Sequence, residues 1–259
     1  MLLSDLIPFL RDNKNNVKIH FAQPEDALSE FLMGDFKSWQ EEQNHKNFEK
    51  DYILSLIRLD DGEWLFAGIY KSFGAKELKD CYKYKTRLTE NGSDLIGRVI
   101  INYNRGCRNA FCLLSSHIDG LEVAEVRRDV YTMPFPGYEN VHVSWKMLNA
   151  VIDTEEWMTP LKEVKGVYLL TDANTGLMYV GSATGERKLW GRWKSYIRTG
   201  HGGNEGLKKL SKKYIKENFS FAILDYYSAK TSDEEIRSRE KWWKNVLMTY
   251  KNDYGYNHN

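Results

Sequence analysis

The sequence has no long apolar run: no stretch approaches the ~18 consecutive apolar residues that a membrane-spanning helix needs, so no membrane span is expected. It is poor in cysteine. The three thiols, Cys81, Cys107 and Cys112, form an odd set without metal-ligand spacing, which argues against a disulfide framework or a zinc site and for reduced thiols in a cytoplasmic protein. It has no internal repeat and no low-complexity tract. The opening MLLSDLIPFLRDNK lacks a basic leader and carries Asp5 early, so no secretory signal is expected. It also lacks an excess of either charge, with a net charge of only +1 over 259 residues. What is present is ordinary for a globular chain. Hydrophobic residues at 42% against 28% charged are enough to bury a sizeable core, in one or two domains.

The balanced total hides an asymmetry. Residues 161–259 hold eighteen Lys plus Arg against eleven Asp plus Glu, a surplus of seven; the remainder holds nineteen against twenty-five. Two halves of opposite sign suggest two domains, the basic one suited to a polyanion. The same lysines also read as a solvated helical face.

Residues 1–50 read as irregularly helical, with Ser4-Asp5 and Pro24-Glu25 as helix starts. Asp51 to Asp60 and Glu63 to Tyr70 are β-rich runs around the turn pair Asp61-Gly62, which predicts a hairpin. Further strands are predicted at Tyr82–Leu88, Leu95–Tyr103 and Leu121–Arg128, a spacing that suits a small barrel or a curved sheet. Met133-Pro134-Phe135-Pro136-Gly137 breaks regular structure, and a helix follows from Ser144 to about Thr154. The expected division is a β-rich domain over 1–150 with a helical start, a linker over 151–162 and a second domain over 163–259. The last has strands at Gly166–Leu170, Leu177–Gly181 and Phe219–Leu224, and helices at Trp190–Tyr196, Leu207–Ile215 and Thr231 to about Thr249. The fold class is α+β.

Within 163–259 the residues carry a resemblance. Gly166-Val167-Tyr168 and Tyr179-Val180-Gly181 form two half-motifs with ten residues between the tyrosines. Arg192-Trp193 follows on a helix, then Glu240 before Trp242-Trp243, then Gly255-Tyr256-Asn257. This ordered set resembles the GIY-YIG nuclease domain. The resemblance implies a small three-stranded antiparallel sheet flanked by helices, and phosphodiester hydrolysis assisted by Mg²⁺ or Mn²⁺. It implies Tyr168, Tyr179, Arg192, Glu240 and Asn257 as site residues, with Glu240 as metal ligand. Family members often place a histidine four residues after the arginine; here Tyr196 stands there, and the proton-transfer role passes to a tyrosine or is lost. His201 nearby reads either as a loop or substrate contact or as a substitute for that histidine.

The chemistry follows from the residue types. One carboxylate suits a single hard cation that keeps several waters. Arg192 can fork onto a phosphate as a lysine cannot. Tyr168 is the candidate general base, although a free phenol with a pKa of ~10 needs a neighbouring cation or metal-bound water to act near neutrality. Tyr179 is placed to position water or phosphate, and Asn257 to make a scaffold or phosphate hydrogen bond. Trp242 and Trp243 read as core and rim.

Lys194, His201, Lys208, Lys209 and Lys212 are the candidate phosphate contacts of the second domain. In the first, Arg98, Arg105 and Arg108, with Lys83, Lys85 and Arg87, lie among Tyr82, Tyr84 and Tyr103, a mixture able to contact phosphates and stack on bases. A domain that precedes the nuclease-like segment suits a restriction or phage-defence enzyme whose N-terminal part reads the target, including a flipped or modified base. The expected partner is double-stranded DNA, with a homodimer on it where both strands are cut. The alternatives are a non-catalytic nucleic-acid-binding module of the same fold, a repair or homing nuclease, and a first domain that serves structure or dimerisation.

Overall fold

A computed structural model describes residues 1–23, 25–59, 62–104, 109–250 and 255–258. The chain divides into two compact units, Met1–Tyr131 and Thr132–Asn259. The architecture is α+β with mixed sheets.

The first unit opens with two single-turn helices, α1 (Leu3–Leu6) and α2 (Phe9–Asp12), then strand β1 (Val17–Ala22), helices α3 (Glu25–Leu32) and α4 (Phe36–Glu41), and the short β2 (Glu42–Gln43). Strands β3 (Tyr52–Arg58), β4 (Glu63–Glu77), β5 (Tyr82–Leu88), β6 (Val99–Asn102), β7 (Phe111–Leu113) and β8 (Glu122–Val126) complete it. They form one eight-stranded sheet in the order β2-β5-β4-β3-β1-β7, with β6 pairing β4 and β8.

β1 corrects the helical reading of residues 1–50. It runs parallel to β3, Val17 opposite Tyr52 through Ala22 opposite Ile57. The helices between them are the crossover that a parallel pair requires. β3 is apolar on both sides because both faces of the sheet are covered. Leu54 and Leu56 enter one buried cluster with Ile19, Phe21 and Phe66; Ile53 and Ile57 enter another with Phe36, Phe48 and Leu65. The strand predicted over 95–103 is shorter than expected. Gly97, at φ +72°, turns the chain before Val99. Gly62, at φ +79°, supplies the left-handed conformation of the predicted β3–β4 turn; its neighbour Asp61 lies outside the described residues.

The second unit holds β9 (His142–Ser144), α5 (Trp145–Val151), α6 (Glu155–Glu163), β10 (Lys165–Asp172), β11 (Met178–Ala183), α7 (Lys188–Thr199), α8 (Lys212–Asn218), β12 (Phe219–Tyr227) and α9 (Asp233–Val246). Its sheet has the order β11-β10-β12-β9, four antiparallel strands rather than the expected three. Residues 132–163, expected to divide between the first domain and a linker, build onto this unit. β9 extends the sheet, and Trp157 of α6 is fully buried, stacking edge-on against Phe135 and donating Nε1–H to Met133 O at 3.0 Å. The helix predicted over 207–215 breaks, because Ser211 caps α8 by accepting from Tyr214 N at 3.1 Å. No helix among the described residues is long and apolar enough to cross a membrane. Cys81 is half-buried and Cys112 buried, whereas Cys107 lies outside the described residues.

His20 on β1 has a measurable consequence. It is 3% exposed, faces Gln40 Oε1 at 2.9 Å and stacks on Trp39 and Phe111. Burial lowers its pKa from 6.5 to about 4, with the Gln40 hydrogen bond opposing weakly. Above pH ~6.5 the ring is neutral folded or unfolded. Below that, the unfolded chain takes up a proton that the folded core refuses. Stability is therefore complete above the unfolded pKa and falls toward the folded one by about 1.4 kcal/mol per pH unit, about 3 kcal/mol in all. Chemical denaturation at pH 7, 6 and 5 is expected to show this slope, and the His20→Phe variant a flatter profile; equal slopes in the two proteins would refute the assignment.

Candidate functional site

β10 is the strand on which the site is assembled. Its alternation sends Val167 and Leu169 toward α9, where they pack with Val180, Ile236 and Trp243. It sends Tyr168 to the other face, where its ring meets Trp193 and Tyr196 of α7 at centroid distances of 6.3 and 6.0 Å. Tyr168 lies directly opposite Gly181 on β11. A Cβ at Gly181 would sit 2.5 Å from the Tyr168 hydroxyl and 2.8 Å from the Tyr179 ring. The glycine of the second half-motif is therefore the space that the tyrosine of the first occupies.

Arg192 gathers the hydroxyls. Its Nε donates to the Tyr168 hydroxyl at 2.7 Å, Nη2 to the Tyr196 hydroxyl at 3.3 Å, and Nη1 to Gly202 O at 2.8 Å. The Tyr168 and Tyr196 hydroxyls share a further bond at 3.2 Å. Gly202, at φ +56°, must be glycine twice over: the backbone is left-handed, and a Cβ would lie 2.6 Å from the Tyr196 ring. A guanidinium has five N–H bonds, so two on Arg192 have no partner among the described residues. The Tyr179 hydroxyl likewise has none, and Tyr179 is 8% exposed where Tyr168 and Tyr196 are fully buried.

Electrostatics assign protonation states. Burial pushes the Tyr168 and Tyr196 phenols well above the ordinary value, and the charge of Arg192 offsets only part of this. Burial works against the Arg192 charge, but its phenol partners outweigh that and hold its pKa above the usual value. The cluster is therefore one cation held by two neutral phenols. In the described state the fold raises the Tyr168 pKa, the opposite direction to the one a general base near neutrality needs.

Glu240 does not join that cluster. It projects from α9, on the other face of the sheet, and accepts from Ser182 Oγ and from Lys244 Nζ, the latter at 2.8 Å. Gly181 and Ser182 are consecutive on the edge strand β11, so the two halves of the site approach that strand from opposite faces. Glu240 and Lys244 side chains are 15% and 14% exposed. Among the described residues no three His, Cys, Asp or Glu side chains cluster as a metal cage. The donor set fits a hard cation that keeps most of its waters, and it fits neither zinc nor a two-metal clamp. Lys244 Nζ meets Oε1 as an i,i+4 partner on the same helix.

Asn257 closes the free edge of β11. Its Oδ1 accepts from Val180 N at 2.9 Å and its Nδ2 donates to Val180 O at 2.8 Å, as a neighbouring strand would. The expected phosphate contacts are mostly engaged. Lys194 pairs with Asp153, and Lys208 with Glu205. Lys212 donates to Arg198 O at 2.9 Å, and His201 Nδ1 accepts from Gly203 N. Lys209 is exposed, with no ion-pair or hydrogen-bond partner for its side chain among the described residues. Exposed pairs of this kind are worth about 0–1 kcal/mol and yield readily to a phosphate. In the first unit Arg98 donates from Nε to Arg127 O and from Nη1 to Asp94 O, each at 2.9 Å. Arg105 and Arg108 lie outside the described residues.

Sequence reasoning missed four residues. Ser182 and Lys244 hold Glu240; Lys244 could have been found from its i,i+4 spacing on the same helix. Gly202 completes the Arg192 shell. Asp172, fully buried, accepts from Thr175 Oγ1 at 2.8 Å, the Tyr214 hydroxyl at 2.9 Å and the Tyr256 hydroxyl at 2.7 Å, tying the β10–β11 turn to α8 and the C-terminal segment. Burial raises its pKa, but these bonds outweigh it and leave the carboxyl lowered.

No family model matches the chain. A probable intron-encoded endonuclease, bI1, of Neurospora crassa is 27% identical over 167 residues, which are 58% of this chain and 35% of that protein. The chain thus spans about a third of the relative's length. The catalytic domain of the homing endonuclease I-TevI aligns over 35% of this chain and 96% of that domain, at 25% identity and a TM-score of 0.29.

The contact at Gly181 generates a test. Gly181→Ala is expected to displace both tyrosines, lowering stability by about 1–3 kcal/mol as overpacking does. In the tyrosine fluorescence and near-ultraviolet dichroism it should disturb the cluster. A variant with unchanged stability and spectrum would refute the packing.

Proposed function

We propose that this chain is a metal-dependent, site-specific DNA endonuclease of the GIY-YIG type, acting in restriction or phage defence with residues 1–131 as its target reader. The observation that carries the reading is Arg192: a cation fixed by three hydrogen bonds, with two N–H groups, like the Tyr179 hydroxyl, lacking a partner among the described residues. The similarity to the Neurospora crassa endonuclease supports it, as does the basic surplus of the C-terminal third. The ordered markers from Tyr168 to Asn257 point the same way.

The roles divide by exposure. Arg192 binds the scissile phosphate with its remaining N–H groups and stabilises the charge that grows on its oxygens. Tyr179 positions the attacking water. Tyr168 and Tyr196, buried and neutral, act through Arg192 by fixing its orientation. Glu240 would hold Mg²⁺ or Mn²⁺, which supplies charge neutralisation and lowers the pKa of bound water; Lys244 and Ser182 aim the carboxylate. Asn257 is scaffold. The water oxygen bonds to phosphorus as the water gives up a proton, the bond to the leaving oxygen breaks, and that oxygen takes up a proton in exchange. The non-catalytic reading is less favoured, because a dead scaffold has no need to keep all of Tyr168, Tyr179, Arg192 and Glu240.

Purified protein with Mg²⁺ or Mn²⁺ is expected to cut DNA from a panel of plain plasmid, differently methylated plasmid and phage DNA carrying hydroxymethylated or glucosylated cytosine. Glu240→Ala is expected to lose about a hundredfold or more of that rate. Discrete fragments from plain DNA would mark an ordinary restriction specificity, and cutting confined to modified DNA would mark a modified-base reader. Folded protein that cuts nothing on the panel would sink the proposal. One such site handles one strand, so two copies are expected on a duplex cut in both strands; sedimentation that finds a single copy on such a duplex would count against this.

A further inference from the structure

The outer half of the β4–β5 ribbon concentrates positive charge within an otherwise acidic half of the chain. Beyond Tyr70, β4 leaves the core and residues 73–77 are exposed. The register places Lys71 opposite Arg87 and Lys76 opposite Lys83. Lys71 and Lys76 are an odd number of residues apart, and in a regular strand they would face opposite ways. A bulge between Ser72 and Ala75, with Gly74 at φ +88°, inserts one residue and returns Lys76 to the side of Lys71. Lys85 alternates onto the same side between Lys83 and Arg87.

The result is one face bearing Lys71, Lys76, Lys83, Lys85 and Arg87. None of them forms an ion pair among the described residues. Glu42, which the register places opposite Lys83 on β2, also forms no ion pair among the described residues. At the centre stands Phe73, 52% exposed, with Lys71 Nζ 5.8 Å and the Arg87 guanidinium 5.7 Å from its ring centroid. Tyr84 and Thr86 point the other way, into the protein. There Glu41 accepts from Thr86 N at 2.7 Å and Oγ1 at 2.8 Å, which fixes the root of the ribbon.

We infer that this ribbon face is the duplex-binding surface of the first unit. The inference rests on the endonuclease reading and deepens it. Five cations without an ion-pair partner among the described residues, gathered on one face at the β2-β5-β4 side of the sheet, match a polyanion. The lysines and Arg87 contact phosphates. Phe73 contributes an apolar, stackable surface to the bases or sugars between them.

The test is binding, read separately from cleavage. Anisotropy of a short labelled duplex of arbitrary sequence, in chelator and across a salt series, is compared between the parent and K83Q/K85Q/R87Q. The variant is expected to bind at least about tenfold more weakly, with the salt slope reduced by about three. Phe73→Ala is expected to weaken binding without changing the slope. Thermal melting confirms that the exposed substitutions leave the fold intact. Equal affinity and slope in parent and variant would overturn the ribbon while leaving the endonuclease reading standing, provided the parent still cuts DNA. A parent that ignores duplex DNA but binds vesicles of phosphatidylserine through these residues would overturn it as well. A parent that neither binds nor cuts DNA would bring down both.

Discussion

The site depends on how one guanidinium is fixed. Arg192 lies on a helix, Tyr168 on a strand and Gly202 in a loop, and its hydrogen bonds are what hold these three together at one point. A lysine would supply the charge without the planar fork, so the three directions could not be met at once. The arrangement also explains the glycines. Gly181 and Gly202 are positions where any side chain would strike the phenol that Arg192 holds, one across the sheet and one across the loop. Two buried phenols are an uncommon means of orienting a cation. They work because burial keeps them protonated, so the cluster carries a single positive charge rather than a neutralised pair. The field reaching outward is that of the arginine.

The edge of the sheet is the second constraint. β11 is an edge strand and carries Tyr179, Gly181 and Ser182 in sequence, so its backbone must be straight and its unpaired side covered. Asn257 covers it with a side-chain amide in place of a strand. Asp172 secures the same region from the turn end by collecting hydroxyls from α8 and the C-terminal segment. Asn257 and Tyr256 therefore tie the C-terminal segment to β11 and to Asp172 at its turn. Glu240 belongs to the same strand through Ser182, although its helix lies on the other face.

Much of the second unit was legible in the sequence, because its signals are local. Strand alternation lies within a few residues, as does the start of α9, where Ser232 Oγ accepts from Glu235 N at 3.2 Å; the half-motifs single out Tyr168 and Tyr179, and the later markers Arg192 and Glu240, as candidates without tertiary knowledge. What was missed needs distant partners. Val17–Ala22 is a strand because β3 lies beside it in parallel, and nothing within those six residues says so. His142–Ser144 pairs with Ser220–Ala222, far along the chain. The bonds of Arg98 to the carbonyls of Asp94 and Arg127 likewise depend on partners that its own position does not announce. The neutral state of Tyr168 is a property of burial, which composition cannot give.

Charge teaches the same lesson at a larger scale. The first 160 residues carry more acid than base, and by that sum alone they make a poor partner for DNA. A sum weighs every charge equally, whereas screening in physiological salt confines each to about 8 Å. Within that distance a ligand meets a local surface, not an average. The β4–β5 ribbon shows how a backbone irregularity can make such a surface. One inserted residue at Gly74 changes the side to which Lys76 points, and with it whether the cations are divided between two faces or gathered on one. The bulge is as much a part of the electrostatics as the lysines are, and it contributes no charge at all.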